Sequence, residues 1–188
     1  KPNMELLRKL EEVSGGLVKL VSVAPEVEGA MDFIREASNE VRVSIAHTTA
    51  DYDTAMAAFG AGASHVTHLF NAMPPFTHRA PGVVGAAFDT PDCWVELICD
   101  GIHIHPSVVR AVFKLFGADR VVLVSDTMRA AGMADGDYSL GGQPVIKKGK
   151  YATLADGTLA GSVTDVMDCM RTAVSFGIPL ADAVRAPA

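Results

Sequence analysis

The hydrophobic positions along the chain alternate between short continuous apolar runs and longer stretches with helical spacing. Apolar residues recur every three to four positions over residues 2–13, which predicts an amphipathic helix. Runs rich in Val, Leu and Ile then recur about every 25 residues, the length of one strand-plus-helix unit. The predicted strands are 17–24, 41–46, 65–70, 95–99 and 121–124. Runs of such continuous apolar character are typical of parallel strands covered on both faces.

Amphipathic segments separate the predicted strands, with helices expected at 27–39, 52–60 and 107–116. This alternation predicts an α/β fold with a parallel sheet, either a barrel or a doubly wound sheet. A long Pro-rich and Gly-rich connection through residue 91 is expected to be a functional loop, because structureless connections of this length are uncommon.

The sequence pattern changes after residue 136, and a domain boundary is expected at that point. Residues 1–136 are predicted to form part of a barrel domain. Glycine-punctuated short β segments predict an antiparallel element at 137–162 that lines the site. Residues 163–188 are predicted to be terminal helices that pack on the barrel.

Composition narrows the possible partners. The 188 residues carry a formal net charge of −6 and no run of Lys or Arg, which argues against nucleic acid and anionic membranes as partners. Apolar runs are shorter than the roughly 18 residues that a spanning helix needs. Three cysteines without CxxC spacing predict reduced, buried thiols, with no disulfide and no thiolate zinc site. These features together predict a cytoplasmic protein.

Polar side chains that can bind a metal ion or transfer a proton follow several predicted strands. They are His47, His68, Asp100 with His103, and Asp126. The carboxyl ends of parallel barrel strands meet at one rim, where active sites are built. Two imidazoles and a carboxylate are the components of a divalent-metal hydrolase with an open position for water. Asp126 would then take the proton of that water.

Each of these residues has a simpler interpretation when it is taken singly. A lone strand histidine such as His68 is more often packed or hydrogen-bonded than a ligand, and Asp126 before a threonine is typical of a turn cap. His65 is expected to face away from His68. Arg79 lies in the long connection, where a solvated charge is the default, although its guanidinium suits a phosphate.

Seven segments, in this order, carry a resemblance to one family. They are LVSVAPE (20–26), AHTTA (46–50), THLFNAM (67–73), HRAPG (78–82), DGIH (100–103), VSDT (124–127) and GTLAGS (157–162). The set resembles the N-acetylglucosamine-6-phosphate deacetylases of the amidohydrolase superfamily. The resemblance implies a (β/α)8 TIM barrel, of which this chain would supply about five C-terminal strand–helix units.

The resemblance also implies a role for individual residues. His47 and His68 would hold a divalent metal ion, with zinc or iron expected, and Asp126 would be the general acid/base for a metal-activated water. The products would be D-glucosamine 6-phosphate and acetate. The residues implied in substrate binding are Asn71, Ala72, Arg79, Asp100, His103, Leu159, Ala160 and Gly161.

One feature of the family pattern is missing. The third metal ligand of the family is a glutamate in an upstream HLEGPF-type motif that does not occur in this sequence, and Glu26 and Glu28 stand in the wrong position. The chain is therefore expected to be the C-terminal part of a longer protein and to need its N-terminal half for stable folding and tight metal binding. The resemblance separately implies a homodimer, in which Arg79 could reach the site of a neighbouring subunit.

Two other functions remain open at this point. The first is an amidohydrolase that acts on a cyclic amide, which would share the metal rim but not use Arg79 as a phosphate anchor. The second is a non-catalytic fragment that binds a sugar phosphate.

Overall fold

The structure, a computed structural model, describes residues 1–186 and divides into two compact units, Lys1–Glu96 and Leu97–Ala188. The first unit alternates helices and short strands. In order these are α1 (Met4–Val13), β1 (Leu20–Val23), α2 (Ala30–Ala37), β2 (Arg42–Ile45), α3 (Tyr52–Gly60), β3 (His65–Val66) and α4 (Gly82–Phe88). Strand β4 (Trp94–Ile98) crosses the boundary into the second unit.

The strands of the first unit pair in parallel and in chain order. Ser22 of β1 lies opposite Ser44 of β2, Ser44 is also in register with His65 of β3, and His65 with Trp94 of β4. The sheet order is β1-β2-β3-β4-β5, where β5 belongs to the second unit. The predicted α/β fold with a parallel sheet is therefore confirmed.

Local sequence explains where the helices begin. Asn3 accepts a hydrogen bond from the Leu6 N–H before α1, and Asp51 accepts one from the Thr54 N–H at 2.9 Å before α3. These are N-caps, which satisfy amide groups that have no partner inside a helix. The prediction of a helix over 52–60 is confirmed at both ends.

Two predictions for the region after residue 64 are wrong. The strand expected over 65–70 contains only His65–Val66, because His68 and Phe70 have positive φ angles of 32° and 75° that end the extended conformation. The connection expected to lack structure contains α4. Four apolar residues of α4, Val83, Val84, Ala86 and Ala87, are buried and the helix packs on α3, so burial outweighs the glycines that suggested a loop.

The second unit begins with the end of β4. It continues with α5 (Pro106–Phe116), β5 (Val121–Val124), β6 (Gly136–Leu140), β7 (Gln143–Lys148), β8 (Tyr151–Thr153), α6 (Val166–Ser175) and α7 (Leu180–Arg185). Strands β6, β7 and β8 form an antiparallel sheet around a small core of Met128, Ala130, Val145 and Ala152.

The predicted antiparallel element is thus confirmed, and the domain boundaries at residues 136 and 162 stay predictions. Helix α7 ends at Arg185, and the last two residues of the helical segment expected to end at residue 188 lie outside the described residues. The three cysteines are free and buried, as expected. None of the helices among residues 1–186 is both long and apolar enough to cross a membrane.

Candidate functional site

The first unit brings two predicted site residues together at the carboxyl ends of neighbouring strands. His47 follows β2 and His68 follows β3, and their Nε2 atoms are 3.0 Å apart. The two rings meet edge to face with centroids 4.7 Å apart. His47 is exposed whereas His68 is buried, so the pair opens to solvent on one side. The strand-end placement that the sequence predicted is present for these two residues.

Both histidines have an unusual backbone conformation. The φ angle is 45° at His47 and 32° at His68, and Ala72 in the following loop has a φ of 49°. Residues other than glycine rarely adopt positive φ, because Cβ crowds the backbone there, and such strain concentrates at functional sites. Neighbouring contacts must therefore hold these residues in place.

The backbone after His47 is fixed by a carboxylate and a carbonyl. The Thr48 hydroxyl donates to Glu26 Oε2 at 2.5 Å, and the Thr49 N–H donates to Glu26 Oε1 at 2.6 Å. The Thr48 N–H donates to the Ala72 carbonyl at 3.0 Å. Burial alone would raise the pKa of Glu26, but these hydrogen bonds outweigh it and lower that pKa.

The backbone around His68 is fixed from β4. The Glu96 side chain accepts from the His68 N–H at 3.3 Å, and the Glu96 carbonyl accepts from the Leu69 N–H at 2.8 Å. His65 is buried and its Nδ1 lies 3.0 Å from the Ser44 hydroxyl, so it belongs to a polar network inside the sheet. Burial, followed by the charge of Arg42, lowers the pKa of His65 to about 4, and its ring is neutral.

The chemistry of the pair suits a metal ion. Two imidazole nitrogens bound at about 2.0–2.1 Å to a tetrahedral ion lie about 3.3 Å apart. The observed 3.0 Å is close to that separation. Among residues 1–186, no group of three or more His, Cys, Asp or Glu side chains could hold a metal. The pair therefore fits part of a ligand set.

The second unit holds an ion pair built from the loop after β4. The Asp100 carboxylate accepts from the Ile102 and His103 N–H groups at 2.8 and 2.9 Å through Oδ1. Its Oδ2 lies 2.6 Å from His103 Nδ1, and both side chains are almost fully buried. His103 Nε2 lies 3.1 Å from the Ala160 carbonyl.

The partners of His103 define its charge. A carbonyl oxygen only accepts, and so does an ionised carboxylate, so both ring nitrogens must donate and His103 is an imidazolium. Burial acts to lower the pKa of His103, but the bond to Asp100 outweighs it and raises that pKa. Burial likewise acts to raise the pKa of Asp100, but the bonds from His103 and Ile102 lower it.

Asp126 follows β5 and is also held in a strained conformation, with a φ of 49°. Its side chain is exposed. Its carbonyl accepts from the Ser162 N–H at 2.8 Å, and the Ser162 carbonyl accepts from the Met128 N–H at 2.9 Å. A Cβ added to Gly161 would lie 3.0 Å from the Asp126 carbonyl oxygen, so a side chain at this position would push against the backbone of Asp126.

The other predicted binding residues lie in different surroundings. Asn71 is half-buried and its side-chain amide donates to the His68 carbonyl at 3.2 Å. Arg79 is exposed and lines a cleft of about 400 Å³ whose lining does not include His47 or His68. Leu159 is exposed and forms a single antiparallel bridge with Thr153. The structure brings Ala72 to Thr48 and Ala160 to His103.

Three supporting residues were missed by the sequence analysis, namely Glu26, Glu96 and Ser162. Glu96 was hidden in a strand read as continuously apolar, although a carboxylate in the middle of such a strand is itself a signal. Glu26 and Ser162 lie inside two of the segments that carry the family resemblance. Only the three-dimensional contacts reveal that they hold the backbone near His47 and Asp126.

Comparisons with known proteins show which proteins this chain resembles. A model of the amidohydrolase family matches residues 19–186. The N-acetylglucosamine-6-phosphate deacetylase of Bacillus subtilis (strain 168) is 46% identical over 162 residues, covering 86% of this chain and 41% of that protein. The N-acetylgalactosamine-6-phosphate deacetylase of Escherichia coli O157:H7 is 39% identical over 190 residues, covering 96% of this chain and 50% of that protein.

A solved structure shows the same fold. An N-acetyl-D-glucosamine-6-phosphate deacetylase variant from Mycobacterium smegmatis, in complex with N-acetyl-D-glucosamine-6-phosphate, superposes with a TM-score of 0.91 at 35% identity. The match covers 100% of this chain and 50% of that one. The chain thus spans about half the length of the relatives it matches.

The family match extends over nearly all of the chain and includes both histidines, Asp126 and the segment around Gly161. The predicted fold class, part of an α/β TIM barrel, is confirmed by the similarity to the solved deacetylase. The chain belongs to the amidohydrolase family.

Proposed function

We propose that the whole protein hydrolyses the acetamide group of N-acetyl-D-glucosamine 6-phosphate and releases D-glucosamine 6-phosphate and acetate. The observation that carries the proposal is the pair of imidazole Nε2 atoms, 3.0 Å apart at the ends of β2 and β3. The deacetylase relatives and the substrate in the M. smegmatis complex support the choice of substrate.

His47 and His68 are proposed to hold a divalent metal ion, for which zinc and iron both suit imidazole ligands. When bound, such an ion acts as a Lewis acid that makes water a nucleophile near neutral pH. The two histidines would supply imidazole nitrogen ligands from the strand ends, and the exposed His47 leaves the site open to solvent.

Asp126 is proposed as the general acid/base. An exposed carboxylate can take a proton from the attacking water and return it to the nitrogen of the leaving amine. The hydrogen bonds around Ser162 fix the backbone of Asp126, so its side chain leaves the strand end in a defined direction. A carboxylate held in this way favours proton transfer, which depends on geometry before pKa.

Substrate binding is proposed for the remaining predicted residues. Arg79 is exposed and its guanidinium can form two parallel hydrogen bonds with a phosphate group. Asp100 and His103 are already hydrogen-bonded to each other. We therefore propose that they hold the Ala160 carbonyl and its neighbours in place at the wall of the binding pocket. The others in this group are Asn71, Ala72, Leu159 and Gly161.

The remaining properties are also proposals. The N-terminal half of the same protein is proposed to supply the third metal ligand, in keeping with relatives about twice as long as this chain. A homodimer is proposed because Arg79 lies on an exposed loop that could reach a neighbouring subunit. A cytoplasmic location is supported by three free, buried cysteines.

A second candidate substrate is N-acetyl-D-galactosamine 6-phosphate. The E. coli relative named for that substrate matches 96% of the chain, a larger share than the B. subtilis relative does. Both sugars present the same acetamide and phosphate groups, so the same residues would act on either.

Acetate release by the whole protein, assayed with both amino-sugar phosphates and with a cyclic amide, tests the proposal. Asp126→Asn should lower kcat by about 10²–10⁴-fold, the usual contribution of a positioned acid/base. Arg79→Ala should raise KM for the phosphorylated sugar and leave the unphosphorylated sugar unaffected, while Lys114→Ala on the exposed side of α5 changes neither. Turnover of the cyclic amide alone, or no turnover with intact sugar-phosphate binding, would favour the two other functions.

A further inference from the structure

We propose that Glu26 is a positioning residue that holds His47 in its metal-binding orientation without touching the metal. The inference rests on the proposed role of His47 as a ligand. Glu26 lies in the loop after β1, one strand away from the histidine that it would serve.

The contacts of Glu26 converge on the two residues that follow His47. Its Oε2 accepts from the Thr48 hydroxyl at 2.5 Å. Its Oε1 accepts from the Thr49 N–H at 2.6 Å and from the Thr49 hydroxyl at 3.1 Å. Both carboxylate oxygens are therefore engaged by donors of the chain itself, and these donors belong to the residues next to His47.

His47 needs such support because its backbone is strained. Its φ of 45° is in the region that L-residues disfavour by about 1–2 kcal/mol. The strain persists only if the adjoining peptide is fixed from outside. Thr48 is buried and makes three hydrogen bonds. Its hydroxyl donates to Glu26 and accepts from the Ala50 N–H, and its own N–H donates to the Ala72 carbonyl.

The arrangement favours a charged acceptor over a polar side chain of the same shape. A glutamine would place an NH2 group against either the Thr48 hydroxyl or the Thr49 N–H. Against the Thr49 N–H, the NH2 group would set two donors facing each other and one bond would be lost. Against the Thr48 hydroxyl, it would reverse the bond, because the hydroxyl would have to accept where it now donates. Bonds to an ionised acceptor are also shorter and about twice as strong as neutral ones.

The decisive experiment compares Glu26→Gln with Glu28→Gln in the whole protein. Glu28 is two residues away, exposed, and paired only with Lys1 in the contacts that the structure gives it. We expect Glu26→Gln to weaken Zn²⁺ binding, measured by competition with a chelating dye, by about tenfold or more, as for other residues that orient metal ligands. Glu28→Gln should bind within twofold of the unmodified protein.

A stability control separates positioning from general destabilisation. Leu7→Ala removes a buried side chain of α1 in the same unit and should lower Tm without changing Zn²⁺ affinity. Equal Zn²⁺ affinity in Glu26→Gln and the unmodified protein would overturn the proposal. So would a fall in Zn²⁺ affinity in Leu7→Ala that stands in the same proportion to its fall in Tm as in Glu26→Gln.

A second pair of variants keeps the test valid if Glu26→Gln does not fold. Thr48→Val removes the hydroxyl that donates to Glu26 and preserves the shape, whereas Thr48→Ser keeps the hydroxyl. We expect Thr48→Val to bind Zn²⁺ more weakly than the unmodified protein and Thr48→Ser to bind it with nearly unchanged affinity. The same loss in both variants, or in neither, would contradict the role of Glu26.

The metal-free protein gives an independent measurement. In NMR spectra, the His47 ring signals should shift or broaden in Glu26→Gln while those of His103 stay unchanged, and unchanged His47 signals would overturn the proposal. Failure of the unmodified protein to bind Zn²⁺, with loss of His47 order in Glu26→Gln, would overturn the proposed function alone. Normal Zn²⁺ binding in both proteins would overturn the positioning role alone.

Discussion

Single residues at the strand ends share one property that the sequence did not reveal. His47, His68 and Asp126 each follow a strand and each have a φ between 32° and 49°. The apolar runs predicted that these residues would stand at strand ends, because the end of a run is visible in the sequence. The left-handed conformation depends on hydrogen bonds from Glu26, Glu96 and Ser162, which come from distant parts of the chain and leave no local pattern.

The strain at His47 leads to a prediction about glycine. His47→Gly should be more stable than His47→Ala by about 1 kcal/mol, because glycine adopts positive φ without the Cβ clash. His47 is exposed, so both substitutions remove few packing contacts. Urea unfolding of the two metal-free variants measures the difference.

The reverse order is expected at an ordinary helical position. Asp53 is exposed in the first turn of α3, where Asp53→Gly should be less stable than Asp53→Ala by at most about 1 kcal/mol, the cost of glycine in a helix interior. The same order at residues 47 and 53 would show that the backbone of His47 is not strained.

Gly161 supports a second prediction. In Gly161→Ala the new Cβ would lie 3.0 Å from the Asp126 carbonyl, and either Asp126 or the Ser162 bond must shift. We expect a loss of about 1–3 kcal/mol in stability, as for other overpacked sites, and a lower kcat/KM, because both Asp126 and the substrate-binding segment would be displaced. Gly60→Ala at the end of α3 has no atom within 4 Å of the new Cβ and should be neutral or stabilising. An active, equally stable Gly161→Ala would contradict this account.

The helices and strands that were predicted correctly are those whose structure is decided by neighbouring residues in the sequence. Helix α3 has a capping aspartate, and β5 is a pure aliphatic run, and both were predicted with the observed bounds. Helix α4 was missed because Gly82 and Gly85 and the preceding prolines suggest a loop. In the fold, Gly85 is required because an added Cβ would lie 2.4 Å from Pro81 Cβ. Packing against α3 then makes a helix out of a weak helical sequence.

The Asp100–His103 pair links two elements of the second unit. It joins the loop after β4 to the segment after β8 through the Ala160 carbonyl. Ala160 is in turn tied to β8, since its N–H donates to the Ala152 carbonyl at 2.9 Å. The connection between the loop after β4 and the segment after β8 therefore depends on the protonation of one imidazole.

This link predicts a defined pH dependence of stability. The folded pKa of His103 is raised, so its contribution is complete below the unfolded value of about 6.5 and is lost as pH rises through the folded pKa. The folded pKa of Asp100 is lowered, so its contribution is complete above about 3.9 and is lost as pH falls through the folded pKa. The pair should therefore stabilise most between about pH 4 and 6.5.

Variants isolate that contribution. His103→Gln should cost about 2 kcal/mol near pH 6 and flatten the fall in stability above pH 6.5, since hydrogen bonds between charged groups contribute about 1.5–3 kcal/mol. His105→Gln changes an exposed histidine of the same loop and should leave the profile unchanged. Nitrogen-15 NMR should show both ring nitrogens of His103 protonated at pH 6, and a neutral ring would contradict the imidazolium.

For the whole molecule, each unit contains some of the residues that the sequence predicted to be functional. His47 and His68 belong to Lys1–Glu96, and Asp100, His103 and Asp126 belong to Leu97–Ala188. The sequence could predict this set because strand ends recur with the spacing of the strand–helix unit. It could not assign the support contacts, which join segments as far apart as residues 26 and 48 or 126 and 162.

Surface exposure in the first unit predicts how the 188-residue chain behaves by itself. Leu6, Leu10 and Val13 of α1 are 54%, 51% and 78% exposed, and a cleft of about 370 Å³ beside them is lined mainly by apolar residues. Clustered apolar exposure of this kind promotes association. Two imidazoles alone also hold Zn²⁺ weakly, because structural and catalytic sites use three or more protein ligands.

We therefore expect the isolated 188-residue chain to self-associate, to melt without a sharp transition and to bind Zn²⁺ at least about tenfold more weakly than the whole protein. Light scattering, calorimetry and metal titration measure the three properties. Leu6→Glu with Leu10→Glu should reduce self-association, because charge on α1 opposes apolar contact, while Glu5→Gln with Glu12→Gln on the same helix should not. A monomeric chain with a cooperative melt and Zn²⁺ affinity equal to that of the whole protein would show that His47 and His68 need no further ligand and that α1 needs no cover.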